Sequence, residues 1–268
     1  MSDISKLFQS VKLPVMPEVA HALIRTLHDA DASLMEVRKL IAKDPTLTAK
    51  VLRLANSAGY GLQREVSSLD EATALVGLLQ VRTLALTACL NVAFPMSSGL
   101  DRSEFWRFSM ACAGYAQWLA GALQLDSQQA WLTGMMARLG ELLIASHSPA
   151  SLLEIEKLPH IPGDRWKREQ RALGYSEVQV TAELARRWNF PLGIVDGLNA
   201  ATDPLSSQAI NELGAVLHLA AWLADMPFSE AAIVDALPVD VITALGLDRE
   251  WMRTNLPRPD SFFDVSDL

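Results

Sequence analysis

The chain has 268 residues, of which 50% are apolar and 20% charged, with a net charge of −8. This length can form one large or two small domains with a sizeable core, and the composition excludes an intrinsically disordered chain. Nucleic-acid and anionic-membrane surfaces need clustered lysine and arginine, so the acidic total argues against DNA and membrane partners. The two cysteines, Cys89 and Cys112, cannot build a disulfide framework. With no signal-peptide pattern at the start, they predict a cytoplasmic protein.

The first third of the chain carries repeated helix start and stop signals. Residues 17–18 open a run whose apolar side chains fall on one helix face. Residues 33–36 and 68–71 have the spacing of capping boxes. An Asp-Pro pair at 44–45 predicts an N-cap followed by proline, and residues 56–59 predict the end of that helix. An alternative to this helix-ending role is that the turn after Asn56 shapes a binding groove.

The rest of the chain reads in the same way. Ser-Pro at 148–149 and Phe-Pro at 190–191 are further helix starts, and breaks fall at 94–104 and 201–208. No period-2 strand or hairpin turn is present in the sequence. The prediction is therefore an all-α protein. The tail from residue 257 is predicted either to fray or to pack as a strap.

Catalytic motifs are missing from the sequence. Its histidines do not pair at helical spacing, and it has no CxxC, HExxH, GxSxG or glycine-rich phosphate loop. His28 and Asp29 form an HD dipeptide, which we interpret as part of an ordinary loop. We therefore expect no metal and no cofactor.

A resemblance to a known family starts near residue 13. The motifs LPVMPE (13–18), DPTLT (44–48), LRLANSA (52–58) and SSLDEA (67–72) resemble the first part of an HDOD domain. This bacterial signalling family is related to the HD phosphohydrolases. GMMARLGELLI (134–144) and LHLAAWLAD (217–225) extend the likeness more loosely. It implies an HDOD/HD-like helical bundle, with an extension at 1–12, the domain at 13–208, and helices completing the bundle plus an acidic tail at 209–268.

The departures from the catalytic pattern decide the functional expectation. In catalytic relatives the 134–144 segment would supply a His and an Asp as metal ligands, where this chain has Ala137 and Arg138. Glu177 stands where relatives often carry His, and Ala221 stands at the aspartate position that follows His218. Alanine has no donor atom and arginine is a permanent cation. The resemblance thus implies the fold without the hydrolytic chemistry, and we expect no enzyme.

A vestigial pocket is expected at these positions. Its predicted members are Ala137, Arg138, Glu141, Glu177 and His218. Arg138 is expected either to bind an anion or to pair with a carboxylate such as Glu177, because a buried arginine needs a partner.

The densest basic run is a second candidate site. Arg165, Lys167, Arg168 and Arg171 are predicted to form an anion or partner patch. The alternative is a solvated helix face anchored by Trp166.

HDOD proteins are generally regarded as regulatory modules of bacterial signalling, often fused to other signalling domains. Few residues flank the predicted domain here, so we expect signalling proteins to act in trans. The leading hypothesis is a non-catalytic signal-transduction regulator that works through protein–protein interaction. The alternatives are a sensor that binds a cyclic dinucleotide such as cyclic di-GMP in the vestigial pocket, and a residual metal-dependent phosphodiesterase. A homodimer is left open.

Overall fold

Helices dominate the computed structural model, which describes residues 3–11, 13–27, 32–57, 66–94, 100–158, 161–207, 209–226 and 232–262. In chain order they are α1 (Asp3–Ser10), α2 (Glu18–Leu27), α3 (Leu34–Ile41), α4 (Pro45–Ala55), α5 (Leu69–Val76), α6 (Leu78–Ala93), α7 (Arg102–Ala122), α8 (Ser127–Met136), α9 (Leu139–His147), α10 (Pro149–Glu156), α11 (Arg165–Leu173), α12 (Glu177–Arg187), α13 (Leu192–Ala200), α14 (Glu212–Asp225), α15 (Ala232–Ala236), α16 (Val239–Leu245) and α17 (Arg249–Asn255). A 3-10 turn follows at Pro259–Phe262. Within these ranges no strand occurs, so the all-α prediction is confirmed.

The chain divides into two compact units. The larger unit contains Met1–Leu13, Met96–Arg187 and Leu192–Asp264, and the smaller unit contains Pro14–Pro95, Trp188–Pro191 and Val265–Leu268. The larger unit includes parts of all three predicted segments, 1–12, 13–208 and 209–268. Those boundaries stay a prediction.

Local capping chemistry fixes the helix starts of the smaller unit. Ser33 and Glu36 form the predicted capping box, in which each side chain bonds the other residue's backbone N–H. The Asp44 side chain accepts hydrogen bonds from the backbone N–H groups of Thr46 and Leu47. Proline follows Asp44 as the first residue of α4. These predicted helix starts are therefore confirmed.

The predicted stop of α4 is confirmed at Asn56. Its side-chain amide donates to the carbonyl oxygen of Val66 over 2.8 Å and accepts from the Val66 N–H over 2.7 Å. The side chain thus fastens the chain before α5 to the end of α4. Tyr60 and Gly61, which the groove alternative includes, lie outside the described residues. So does the His28–Asp29 dipeptide.

The core of the larger unit is built around α7. This helix is buried along most of its length and packs against α8 and α14. A Cβ on Gly134 would lie 2.7 Å from the Cys112 carbonyl oxygen, so glycine allows α8 to approach α7 closely. The Cys112 thiol is free and buried here, and burial raises its pKa. In the smaller unit, burial raises the pKa of the Cys89 thiol to about 11.

The C-terminal tail packs as a strap as far as Phe262. The rings of Tyr115 and Phe262 meet edge to face, with centroids 5.0 Å apart. Just before the tail, Trp251 of α17 stacks on Trp118 with centroids 5.2 Å apart. Of the two alternatives from the sequence, the structure thus supports the strap for the described part of the tail.

Membrane-crossing length and apolarity do not coincide in any single helix of the described ranges. Leu69–Val76 and Gln80–Leu90 meet both criteria when taken together, but the pair bends by 109° at its break.

Candidate functional site

The buried site begins at the junction of α8 and α9, in the larger unit. Arg138 lies immediately before α9, and Glu141 lies in the first turn of that helix. Gly140 lets α9 pack directly on α12, because a Cβ there would overlap the carbonyl oxygen of Glu177. The Thr181 hydroxyl accepts a hydrogen bond from the Gly140 N–H over 2.8 Å. These contacts bring side chains from α9 and α12 to one buried point.

Arg165 is the centre of an ion-pair cluster at this point. Its guanidinium donates to Glu177 over 3.1 Å, to Glu156 over 2.6 Å and to Glu141 over 2.5 Å. The Nε atom also lies 3.2 Å from a Glu169 oxygen. Because the Arg165 side chain is 11% exposed, the attraction acts away from bulk water and ties α9, α10, α11 and α12 together.

The carboxylate of Glu177 is enclosed by hydrogen-bond donors. One oxygen accepts from the indole N–H of Trp166 over 3.1 Å and the other accepts from Arg165. The Glu177 backbone N–H in turn donates to Glu169 over 2.7 Å. Burial, reinforced by the charge of Glu177, raises the pKa of Glu169 well above its ordinary value. Burial also raises the pKa of Glu141, against the opposing effects of Arg165 and Arg138.

Arg138 is paired with carboxylates but is not hydrogen-bonded to them. Its Nε atom lies 3.6 Å from Glu177 and 3.8 Å from Glu141, and the guanidinium carbon lies 3.7 Å from the centroid of the Phe108 ring. Of the two alternatives from the sequence, the structure contains the carboxylate pairing, at longer distance than a hydrogen bond. The neighbouring Ala137 is buried and supplies no side-chain donor.

His218 points its ring at the backbone. Its Nδ1 atom lies 2.7 Å from the carbonyl oxygen of Ala201, so Nδ1 carries the proton and donates. Burial lowers the pKa of His218 from 6.5. The ring centroid lies 6.3 Å from that of Trp166. The structure therefore places His218 next to the cluster, behind Trp166, and in no direct pairing with Arg138.

A small pocket adjoins the cluster. It is lined by Phe108, Arg138, Gly163, Arg165, Trp166, Glu177, Ala221, Trp222 and Asp225. Its empty volume is about 280 Å³, including solvent at its mouth. Gly163, which has a φ of +73°, is one of the residues that line the pocket. A Cβ there would overlap the indole of Trp222, and the Gly163 N–H donates to Asp225 over 2.9 Å.

The two metal ions that a catalytic HD relative needs do not fit these residues. Ala137 has no ligand atom, and Arg138 puts a permanent cation into the space. Both oxygens of Glu177 already accept hydrogen bonds, and the Nδ1 of His218 is committed to a carbonyl. In the described part of the chain, no three His, Cys, Asp or Glu side chains are grouped so that they could hold a metal ion.

The predicted basic patch is wrong as a single surface. Arg165 and Arg168 lie on the inner face of α11, where Arg168 approaches the carbonyl oxygens of Ile155 and Leu158 at 3.4 Å. Lys167 and Arg171 are exposed on the outer face. Arg165 and Arg168 are three positions apart and share one face, but Arg168 and Arg171 are also three apart, so helical spacing alone does not predict the split.

Sequence reasoning missed several members of the site. Glu156 and Glu169 complete the shell around Arg165, and Trp222 and Asp225 form one wall of the pocket. Glu169 stands four residues after Arg165, a helical ion-pair spacing that could have drawn attention to it. Trp222 and Asp225 gave no such signal.

Comparison with known proteins connects this geometry to a family. The HDOD domain profile matches residues 13–204. An uncharacterized protein of Treponema pallidum (strain Nichols) is 26% identical over 189 residues, which cover 69% of this chain and 36% of that protein. The chain thus spans about a third of the length of this curated relative.

Solved structures share the fold. A candidate phosphohydrolase from Shewanella amazonensis SB2B superposes with a TM-score of 0.74 at 27% identity, covering 95% of this chain and 92% of the other. An HDOD domain protein of unknown function from Geobacter sulfurreducens superposes with a TM-score of 0.72 at 23% identity, covering 98% of each chain. A candidate signal transduction protein from Marinobacter aquaeolei VT8 gives 0.75 at 23% identity, covering 98% of this chain and 58% of the other.

These likenesses place the chain among helical proteins of the HD-like class. The profile covers well over half of its length, and the chain belongs to the HDOD domain family.

Proposed function

We propose that this chain is a non-catalytic bacterial signal-transduction regulator that acts through protein–protein contact in the cytoplasm. The observation that carries the non-catalytic part is the position of Arg138 and Arg165. Their guanidinium groups lie among buried carboxylates, next to the segment that supplies metal ligands in catalytic relatives. A guanidinium cannot lose its proton in a protein, so it repels a divalent cation from the same space.

Regulation by contact needs a surface that a partner can cover. The side chains of Leu153, Leu158 and Ile161 are 57%, 44% and 56% exposed; Leu153 lies in α10, and Leu158 and Ile161 follow that helix in the sequence. Exposed apolar side chains are candidates for such a surface where they form one patch. We take the partner to be a second signalling protein that binds in trans.

An assay for phosphodiester hydrolysis tests the non-catalytic part. We expect purified protein incubated with bis(p-nitrophenyl) phosphate and Mn²⁺ to release no more nitrophenol than the metal alone. Elemental analysis of the same preparation is expected to find no stoichiometric transition metal. Turnover that follows two bound metal ions per chain would refute this part of the proposal.

Affinity capture from a bacterial lysate tests the contact. The wild type and the control Val239→Glu, whose side chain is 53% exposed in the same unit, are expected to capture the same partner. The double variant Leu153→Glu/Ile161→Glu is expected to lose it, because a buried unpaired charge weakens an interface strongly. Absence of any specific partner across growth conditions would contradict the function.

A further inference from the structure

Arg165 uses each of its guanidinium nitrogens on a different carboxylate. Nε donates to Glu177 over 3.1 Å, Nη1 donates to Glu156 over 2.6 Å, and Nη2 donates to Glu141 over 2.5 Å. Glu169 lies 3.2 Å from Nε, but the single hydrogen of that atom is already donated to Glu177. The hydrogen bonds of Arg165 therefore go to three carboxylates, and none of them goes to Glu169.

One carboxyl oxygen of Glu169 lacks a hydrogen-bond donor. Its Oε2 atom accepts from the backbone N–H of Glu177 over 2.7 Å, whereas Oε1 is buried and has no hydrogen-bond partner among the described residues. The side chain is 0% exposed, so bulk water does not reach it. An ionised carboxylate is costly under these conditions, because both burial and the missing donor disfavour the charge. A neutral carboxylic acid costs much less.

The charges around Glu169 act in the same direction. Titratable and charged groups surround it from the neighbouring helices: Glu141 of α9 with Arg138 just before it, Glu156 of α10, Arg165 and Arg168 of α11, Glu177 of α12, Cys112 of α7 and His218 of α14. Burial raises the pKa of Cys112 and lowers that of His218, so neither adds a charge near neutral pH. Arg168 is turned to backbone carbonyl oxygens.

Ionised Glu169 would leave four carboxylates facing the guanidinium groups of Arg138 and Arg165. Like charges held together in a poorly solvated site cannot all ionise at their ordinary pKa values. Burial, reinforced by the charges of Glu177 and Glu141, accordingly raises the pKa of Glu169 against the opposing effect of Arg165.

The contact between α11 and α12 runs through the same groups. From α11, Arg165 and the indole N–H of Trp166 both donate to the Glu177 carboxylate, and Glu169 accepts from the Glu177 backbone N–H. A negative charge on Glu169 would therefore lie beside Glu177 at the point where the two helices meet. Repulsion there is strong because water is excluded. Movement of α11 away from α12 separates the two charges and lets water reach Glu169.

We propose that the folded protein holds Glu169 as a neutral carboxylic acid, and that loss of this proton releases the first turns of α11 from α12. The proton passes from the Glu169 carboxyl group to water, and no other bond forms or breaks covalently. Acidification thus closes the contact and a rise in pH opens it. This switch goes beyond the proposed function, since it adds a pH-dependent change within the larger unit that requires no partner.

Hydrogen exchange of the Trp166 indole N–H tests the switch on the whole chain. This proton is bonded to Glu177 when α11 is closed, and it is free to exchange when α11 opens. Because opening releases one proton, the opening equilibrium is expected to rise about tenfold per pH unit above the ordinary pKa of 4.5. The rise is expected to level off above the folded-state pKa of Glu169. Rates are compared after correction for the pH dependence of intrinsic exchange.

Glu169→Gln keeps an oxygen that can accept the Glu177 N–H but has no proton to lose, so its opening equilibrium is expected to be independent of pH. Glu154→Gln is the matched control, because this glutamate of α10 is exposed and pairs with Lys157. It is expected to keep the slope of the wild type. At pH 8 the backbone amides of α7 are expected to exchange about tenfold more slowly than those of α11, as local opening requires.

Infrared spectroscopy of the wild type tests the protonation state even where Glu169→Gln fails to fold. A protonated-carboxyl band is expected at pH 6 and is expected to disappear as the pH rises. Absence of that band, or pH-independent exchange in the wild type, would overturn the proposal. So would a slope that persists in Glu169→Gln, or equal exchange of α11 and α7, which would mean that the unit opens as a whole. The outcome of partner capture does not affect these measurements, which keeps the switch separate from the proposed function.

Discussion

Arg165 donates a hydrogen bond from Nε to a Glu177 oxygen over 3.1 Å, and the same guanidinium donates to Glu141 over 2.5 Å. One buried cation therefore compensates carboxylates from two other helices. The arrangement is costly to break, because a buried carboxylate that loses its partner keeps its full desolvation penalty. Arg165 thus stabilises the site structurally, and this role does not itself imply that the site binds a ligand.

Replacing Arg165 is the direct test of that relationship. Arg165→Met keeps an apolar stem of similar length but leaves Glu141 and Glu177 without their hydrogen-bonded cation. We expect the free energy of unfolding to fall by about 3–5 kcal/mol, measured by urea denaturation. Arg171→Met on the exposed face of the same helix is the control and is expected to leave the urea midpoint unchanged. Equal midpoints for the two variants would show that the cluster contributes nothing to stability.

The buried carboxyl of Glu169 predicts a pH dependence with a definite sign. Its pKa is raised in the folded state, so the folded protein holds this proton more tightly than the unfolded chain does. The resulting stabilisation is complete below the ordinary pKa of 4.5 and is lost as the pH rises through the folded-state pKa. Glu169→Gln removes this titration. Between pH 5 and pH 8, we therefore expect the wild type to lose stability relative to the variant.

Glu183 supplies a comparison of the opposite sign. Hydrogen bonding from Arg186, with further help from Arg187, lowers the pKa of Glu183. Its contribution is therefore present above pH 4.5 and is lost as the pH falls through the lowered value. Urea denaturation of Glu183→Gln is expected to show the wild type losing its advantage on the acid side. If the wild type lost stability relative to both variants in the same direction of pH, the pKa directions assigned to Glu169 and Glu183 would be contradicted.

His218 predicts a third pH effect, near neutrality. Burial lowers its pKa from 6.5, so the unfolded chain binds this proton more readily than the folded protein does. Stability is therefore expected to fall as the pH drops below 6.5. An Asn side chain can keep the hydrogen bond to the Ala201 carbonyl without titrating. In urea denaturation, His218→Asn is expected to flatten the slope of stability against pH between 7.5 and 5.5, and an unchanged slope would rule out this role.

Gly163 is expected to tolerate no side chain. Its φ of +73° is strained for other residues, and an added Cβ would also overlap the indole of Trp222. Gly246 has a similar φ of +68° but nothing within 4 Å of an added Cβ. Thermal unfolding should separate the two effects. Gly246→Ala is expected to cost about 1–2 kcal/mol from backbone strain alone, and Gly163→Ala about 1–3 kcal/mol more from the overlap.

The parts of this fold that the sequence could predict are those set by neighbours in the chain. The capping box of Ser33 and Glu36 and the proline start of α4 each depend on residues within a few positions. The fate of Arg165 depends on carboxylates 9, 12 and 24 residues away on other helices. Composition and helical spacing carry no information about such partners. An arginine in a basic run was therefore predicted to be exposed, although it is buried.

The residues that line the pocket were even harder to predict from the sequence. Asp225 receives the hydrogen bond of a residue 62 positions earlier, and that contact forms only when the Gly163 turn reaches the end of α14. Family resemblance did locate the position of Arg138, because the surrounding motif is local. It could not reveal that the guanidinium would pair with carboxylates and still lack a hydrogen bond.

The contact between Gly114 and Phe262 predicts how the tail is held. A Cβ on Gly114 would lie 2.6 Å from ring atom Cδ2 of Phe262, so Gly114→Ala should displace the strap from α7. We expect chymotrypsin to cleave this variant faster between Trp251 and Phe262, with mass spectrometry locating the cuts. Gly121 on the same helix is the control, since its Cβ would meet only a Ser127 oxygen at 3.5 Å. Gly121→Ala is expected to stabilise the protein by about 0.5–1 kcal/mol through helix propensity and to leave tail cleavage as in the wild type. Equal cleavage of both variants would mean that Phe262 does not hold the tail.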